Sequence, residues 1–284
     1  MTGWVLGFVL GALATTVAGL VLLRAAVERV RTAERRARAS ERLAELGAMT
    51  SGLAHEIRNP LSTITLNAQI LAEAIEDLPI DPDEKSRLTR RVGTLYRETD
   101  RLSAILADFL RYAGELRLSR EEADVNLLVD ELVDFFHPQA ERQGVRLRAD
   151  LEPGGLQASV DVPQLKQAVL NLMLNAVQAM SVQSPNNGTP ELILKTRREV
   201  SGGRDREGSA VIHVIDTGPG MDGETRRKIF EPYYSTKKGG TGLGLPTTRR
   251  IVEAHGGTLE IYSEPGRGTD FAIRLPLGTA EENG

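Results

Sequence analysis

The chain has 284 residues, 40% of them hydrophobic, and a formal net charge of −4, which suits about two domains with buried cores and excludes a large multidomain receptor. That charge gives no basis for direct nucleic-acid binding, which needs a basic surplus gathered on one face. The absence of cysteine removes disulfides, thiol nucleophiles and thiolate metal sites together, and fits a cytoplasmic working part.

The first element is apolar. Gly3 to Leu23 carries no charged residue over 21 positions, and a helix of about 20 residues crosses a bilayer core. A secretory signal peptide is the rival reading. No basic residue precedes the stretch, however, and its apolar part exceeds the usual length of about 7 to 15 residues, so residues 1–24 are expected to be an uncleaved anchor. Seven arginines follow between Arg24 and Arg42 and none precede. This asymmetry predicts a single-pass protein of the inner or plasma membrane, its catalytic region cytoplasmic and no sensor domain outside. Over 25–44, the spacing of Val27, Val30, Ala33 and Ala37 fits a linker helix leaving the membrane, while a solvated basic linker fits equally well.

Leu46, Met49, Leu53, Ile57, Leu61 and Ile64 then recur at helical spacing, followed by Ile70, Leu71 and Ile75. After the break at Leu78-Pro79-Ile80-Asp81-Pro82, a second stripe runs through Leu88, Val92, Leu95, Leu102, Ile105, Phe109 and Leu110. Residues 45–117 are thus expected to form a helical hairpin, which lacks a complete core until a second copy packs against it as a four-helix bundle. From 118 to 279 the pattern mixes helices (Asn126 to Gln143, Val162 to Met180) with short strands. The strands are Val145 to Leu151, Leu192 to Thr196, Ala210 to Ile215, Thr258 to Tyr262 and Phe271 to Leu275. This predicts an α+β chain whose C-terminal domain is an α/β sandwich, with exposed loops at Gln183 to Pro190 and Ser201 to Ser209 and a tail at 280–284.

Four segments carry chemistry. In Ala54-His55-Glu56-Ile57-Arg58-Asn59-Pro60, His55 lies about 200° around the helix from both Leu53 and Ile57, pointing away from the apolar seam. An exposed histidine is usually only solvated, yet neutral imidazole is a competent nucleophile at pH 7, and Glu56 could take its second proton. Asn59 shares the histidine's face. Pro60 in mid-helix removes a backbone hydrogen bond at a cost of about 3 kcal/mol, which a purely structural helix has little reason to bear. In the second segment Asn171 and Asn175 are i, i+4 partners, fit either for a polar surface or for supplying hard oxygen to Mg²⁺. The third, Asp216-Thr217-Gly218-Pro219-Gly220, follows a strand. It reads as an ordinary turn, or as a carboxylate that accepts from an exocyclic amine beside glycines that admit a base. The fourth, Gly239-Gly240-Thr241-Gly242-Leu243-Gly244-Leu245, leads into a helix. It is a linker or a phosphate cradle, its interleaved leucines favour the cradle, and its spacing matches neither a Walker-type loop nor a Rossmann turn.

In this order the segments resemble the sensor histidine kinases over about residues 45 to 277. His55 to Leu61 resembles the phosphoacceptor box, Asn171 to Ala179 the asparagine box, Asp216 to Gly220 and Gly240 to Gly244 the two glycine boxes, Phe230 to Lys237 the phenylalanine box of an ATP lid, and Gly266 to Thr269 a closing motif. The resemblance implies ATP-dependent autophosphorylation of His55 with Glu56 assisting, then transfer to an aspartate in the receiver domain of a response regulator. It also implies a phosphatase activity toward that regulator, with Asn59 holding water. By the same resemblance Asn175 ligates Mg²⁺, Asp216 reads adenine and Asn171 supports metal and phosphates. Gly218, Gly220, Thr236, Lys237, Gly240, Thr241, Gly242, Leu243, Gly244 and Thr269 shape the ATP pocket of a homodimer. Gln178 and Ser235-Thr236-Lys237 resemble the nitrogen-regulation and sporulation branch. Related gyrase-type ATPases carry a water-activating glutamate where this chain has Asn171. The remaining histidines, His137, His213 and His255, are expected to be structural.

Overall fold

The computed structural model describes residues 57, 59–182, 189–200, 208–237 and 240–277. His55, Glu56, the apolar stretch Gly3 to Leu23, the linker and the tail lie outside the described residues. Among the described residues no helix is long and apolar enough to cross a membrane.

Helix α1 covers 59–76, and Ile57 is also helical. The chain then turns at 77–81 into α2, Pro82–Ala113. Asp81 starts α2 by accepting from the N–H groups of Asp83 at 2.9 Å and Glu84 at 3.4 Å. Pro82 takes a first-turn position whose missing N–H would have had no helical partner, and Asp83 and Glu84 favour the positive end of the helix dipole. Inside the hairpin Ala68, Ile75 and Val92 form a small buried cluster, with Ala72, Leu88 and Tyr96 against them. A second row, Ile57, Ile64 and Leu71 on the first helix and Leu95 and Leu102 on α2, stays 42% to 56% exposed. Those residues recur every seven positions, the spacing of a coiled-coil seam. The apolar stripe in the sequence is therefore wider than the contact within one hairpin.

The second domain is built on a five-stranded sheet in the order β2-β4-β5-β7-β6, comprising β2 (Arg146–Asp150), β4 (Glu191–Val200), β5 (Gly208–Asp216), β6 (Thr258–Ser263) and β7 (Thr269–Pro276). Strands β2 and β4 run parallel and the other neighbours antiparallel. Two short strands not anticipated from the sequence, β1 (Glu121–Asp124) and β3 (Gln157–Val160), form a separate antiparallel ribbon. Each has four residues, too few for alternation to register. Strands β4 and β5 also extend beyond their apolar centres and shorten the expected loop between them.

Helices α3 (Val125–Arg142), α4 (Val162–Val182) and α6 (Gly244–Ala254) cover one face of this sheet, and the short α5 spans Gly223–Lys228. The covered face carries Leu192, Leu194, Ala210, Ile212, Val214, Phe271, Ile273 and Leu275, all buried. The opposite face carries charge: Asp150 pairs with Arg197 and Lys195, Arg274 with Glu199 and Glu260, and His213 Nδ1 lies 3.0 Å from Asp270.

His255 ties this layer together. Its Nε2 accepts the Asp161 N–H at 2.9 Å while Nδ1 lies 2.8 Å from the Ile251 carbonyl, so Nδ1 carries the proton. Asp161 in turn caps the start of α4 through the Gln164 N–H at 3.0 Å and holds the Ser119 N–H at 2.8 Å. Removing the buried imidazole leaves the Asp161 N–H without a partner, at about 1 to 3 kcal/mol, whereas the Ile251 carbonyl still accepts the His255 backbone N–H at 3.2 Å.

Candidate functional site

Three carboxamides leave α4 on one side: Asn171, Asn175 and Gln178 follow helical spacing. The buried side consists of Leu165, Ala168, Val169, Leu172, Met173, Ala176 and Val177. Leu170 and Leu174 are only partly buried against its edge. The Asn171 side chain turns toward α6. Its Oδ1 accepts from Gln167 at 2.9 Å, and its Nδ2 donates to the Gly244 carbonyl at 3.4 Å and to Thr248 at 3.5 Å. Asn171 thereby fixes where α6 begins. That helix start has no side-chain cap, so its first N–H groups are available to an anion.

Strand β5 ends on Asp216, which is 5% exposed, and its Oδ1 accepts the Gly218 N–H at 2.8 Å. Burial raises this carboxyl to about 6, opposed by the N–H groups of Gly218 and Thr269 and by the charge of Lys237. Lys237 is the matching group. Burial lowers its ammonium to about 8, and the Asp216 carboxylate opposes the change. Between those values both are charged. The Lys237 Nζ donates to the Asn175 carbonyl at 3.1 Å, to Asn175 Oδ1 at 3.2 Å and to Gln178 Oε1 at 3.1 Å. Three neutral oxygens already gathered about an ammonium suit a hard cation, and Mg²⁺ commonly takes few protein oxygens, completing its shell with water and phosphate. The donor set therefore fits the metal expected at Asn175.

Two glycines have a reason different from access for a base. At Gly220, with φ +66°, an added Cβ would lie 2.0 Å from the Glu264 carbonyl oxygen, so the turn after β5 is pressed against the β6–β7 loop. At Gly242, with φ +67°, a Cβ would lie 2.6 Å from the Tyr233 carbonyl carbon. The Tyr233 N–H donates to the Gly242 carbonyl at 3.2 Å, and Tyr233 itself has φ 65°. These contacts bring the two ends of the 233–242 segment together.

The cleft thus gathers Asn175, Asp216, Gly218, Lys237, Gly244 and the Thr269 backbone, with Asn171 behind the helix start. Leu243 contributes a fully buried side chain, and Thr236 and Gly240 are exposed. Thr241 faces the hairpin: its hydroxyl donates to Asp108 Oδ2 on α2 at 3.0 Å. Nearby, Arg250 donates to the carbonyls of Tyr112 and of Gly114, the latter at 2.6 Å, which satisfies the C-terminal end of α2. Sequence reasoning missed Asp108 and Arg250, because nothing in a helical aspartate or arginine signals a partner more than 130 residues away. Gln178 was noted only as a mark of resemblance, and its spacing from Asn175 was the available signal.

A helical hairpin tied to a one-sided α/β sandwich with this cleft defines a phosphoacceptor domain joined to a kinase-type ATPase domain. Residues 45–114 match the His Kinase A (phospho-acceptor) domain, and residues 160–279 match the histidine kinase-, DNA gyrase B- and HSP90-like ATPase family. The chain belongs to the sensor histidine kinases. It is 35% identical over 241 residues to the sensor histidine kinase ZraS of Klebsiella oxytoca, covering 85% of this chain and 48% of that protein. With sporulation kinase A of Bacillus subtilis it shares 32% over 235 residues, 82% of this chain and 35% of the relative. It therefore spans about half or less of the length of these relatives. Among solved structures, full-length ShkA in complex with AMPPNP aligns with a TM-score of 0.64 at 26% identity, over 82% of this chain and 46% of that one. The histidine kinase ThkA in complex with the response regulator protein TrrA gives 0.57 at 26%, over 84% and 64%.

The buried carboxylate makes a stability prediction. A folded value raised from 3.8 to about 6 means that the native state holds the proton more tightly, so this group's stabilising share is complete below pH 4 and is lost as pH rises through 6. Asp216→Asn removes that loss. Urea denaturation across pH 4 to 7 should show the variant gaining on the wild type by about 2 to 3 kcal/mol as pH rises. A gap independent of pH would contradict the assignment.

Proposed function

We propose that this chain uses ATP to phosphorylate its own His55 and then passes the phosphoryl group to an aspartate of a response regulator. The observation that carries the reading is one cleft shared by the buried Asp216, the Asn175–Lys237 oxygen cluster and the uncapped start of α6. Asp216 would accept from the adenine amine, while the α6 start and Lys237 would hold phosphate oxygens. Asn175 would supply oxygen to Mg²⁺, which when bound neutralises phosphate charge. A His55 ring nitrogen attacks the γ-phosphorus, the bond to the β–γ bridging oxygen breaks, ADP departs, and Glu56 takes the proton from the other ring nitrogen. In the second step the regulator's carboxylate attacks phosphorus and the P–N bond breaks, returning the imidazole. At Asn171 the chain has a carboxamide with both ends engaged in structure, which supports transfer to histidine over water activation.

The boundaries we propose follow the expected division into 1–24, 25–44, 45–117, 118–279 and 280–284. The uncovered seam of Ile64, Leu71, Leu95 and Leu102 supports a homodimeric four-helix bundle. The complex of ThkA with the response regulator protein TrrA supports a receiver-domain partner for this chain.

Incubation with γ-labelled ATP should give a label lost in acid and kept in alkali, and absent from His55→Gln. Acid-stable label, or label persisting on the variant, would overturn the reading. We further propose a phosphatase role for Asn59, which is exposed on α1. Asn59→Ala should keep His55 labelling yet slow kinase-stimulated decay of the phosphorylated regulator, and equal decay with both proteins would remove the role. Gly3 to Leu23 is proposed as the membrane anchor. Deleting residues 1–23 should move the active protein from the membrane pellet to the supernatant, whereas continued sedimentation with membranes would exclude this stretch as the anchor.

A further inference from the structure

Lys237 uses all three ammonium hydrogens on oxygens of α4: the Asn175 carbonyl, Asn175 Oδ1 and Gln178 Oε1, at 3.1, 3.2 and 3.1 Å. None of these oxygens carries a formal charge. The arrangement holds the lysine within the position that a metal and phosphates would share, although Lys237 belongs to the 233–242 segment and Gln178 to the exposed edge of α4. Phosphate oxygens are anionic, and charge-assisted hydrogen bonds are roughly twice as strong as neutral ones. An incoming triphosphate therefore competes for the same ammonium and wins it from neutral partners.

We propose that Gln178, with Asn175, forms a resting berth for the Lys237 ammonium, and that Gln178 is thereby a positioning residue that limits how readily the lysine transfers to a phosphate. A contact present in the free protein and released on binding lowers affinity by its own worth, so removing it strengthens binding. Gln178 has one acceptor oxygen in this role. Replacing it acts chiefly on phosphate-bearing ligands, because the ammonium bonds phosphate directly and reaches the base only through its charge near Asp216.

The test uses the full chain and two independent readouts. Without nucleotide, nuclear magnetic resonance of ¹⁵N-labelled lysine should show an exchange-protected ammonium signal from Lys237, lost in Gln178→Leu and retained in Gln178→Glu. Calorimetric titration with AMPPNP should show Gln178→Leu binding about three- to tenfold more tightly, the equivalent of one modest hydrogen bond. Adenosine should bind it as it binds wild type. In a Lys237→Met background, Gln178→Leu should change nothing. The titration rests on the ATP-binding reading, whereas the ammonium signal does not. Absence of that signal from wild type, or its survival in Gln178→Leu, would overturn the berth whatever the nucleotide result. Weaker AMPPNP binding in Gln178→Leu would make Gln178 a direct phosphate contact, and an equal change for adenosine would make it a structural residue; either excludes the proposal.

Discussion

A buried carboxylate constrains the elements around it. Asp216 stands at the end of a strand, 5% exposed, and burial alone drives it toward the protonated form. Its proton stays off at neutral pH because two backbone N–H groups and one ammonium offset the desolvation. Each depends on a different element: the turn at Gly218, the start of β7 at Thr269, and Lys237 on the segment after α5. The close crossing of Gly220 against Glu264 brings the first two into reach. Asp216 is thus a point where the sheet edge, the glycine turn and the lysine segment must agree in position. Neutralising it would relax the fold at the expense of its recognition chemistry, a conflict typical of functional sites.

The two domains differ in how complete they are. The sandwich buries a continuous apolar layer from Val125 to Leu275, and its polar interior is paired: Thr196 bonds to Asn126 at 2.6 Å, and His255 links Asp161 to Ile251. The hairpin has a small buried cluster of Ala68, Ile75 and Val92 and a longer row of exposed apolar residues. One domain has enclosed its core within a single chain. The other presents a seam whose burial needs further apolar surface, and long-range stability in the hairpin comes from whatever covers that seam.

Much of this was legible in the sequence, for identifiable reasons. Long helices announced themselves through period, and the start of α2 through the break at Leu78-Pro79-Ile80-Asp81-Pro82. The five strands of the large sheet were found because their covered face is nearly all aliphatic. The ribbon of β1 and β3 was not, since four residues carry too little pattern. At the site, Asn175, Asp216 and Gly244 could be named from local motifs. The role of Asn171 in setting α6, and the reason for Gly220 and Gly242, depend on contacts between distant segments that no single window contains. Asp108 meeting Thr241 is the extreme case, because neither residue type nor spacing encodes a meeting between domains.

That meeting has a limited strength. The hairpin's end is tied to the sandwich by Thr241 to Asp108 and by Arg250 to the carbonyls of Tyr112 and Gly114. All are exposed or half-buried, and such polar contacts contribute about 0.5 to 1.5 kcal/mol each. Together they hold one orientation without approaching the stability of either core, about 5 to 15 kcal/mol for a whole domain. The orientation is therefore separable from the fold: the sandwich retains its sheet, its helices and the Asp216 cleft if the tie is released. Thr241 sharpens the point, because its hydroxyl has one proton to donate and cannot give it to Asp108 and to a phosphate oxygen together. A phosphate oxygen at this edge of the cleft would compete with Asp108 for that donor, so of the hydrogen bonds that join the domains this one is the most directly open to a ligand.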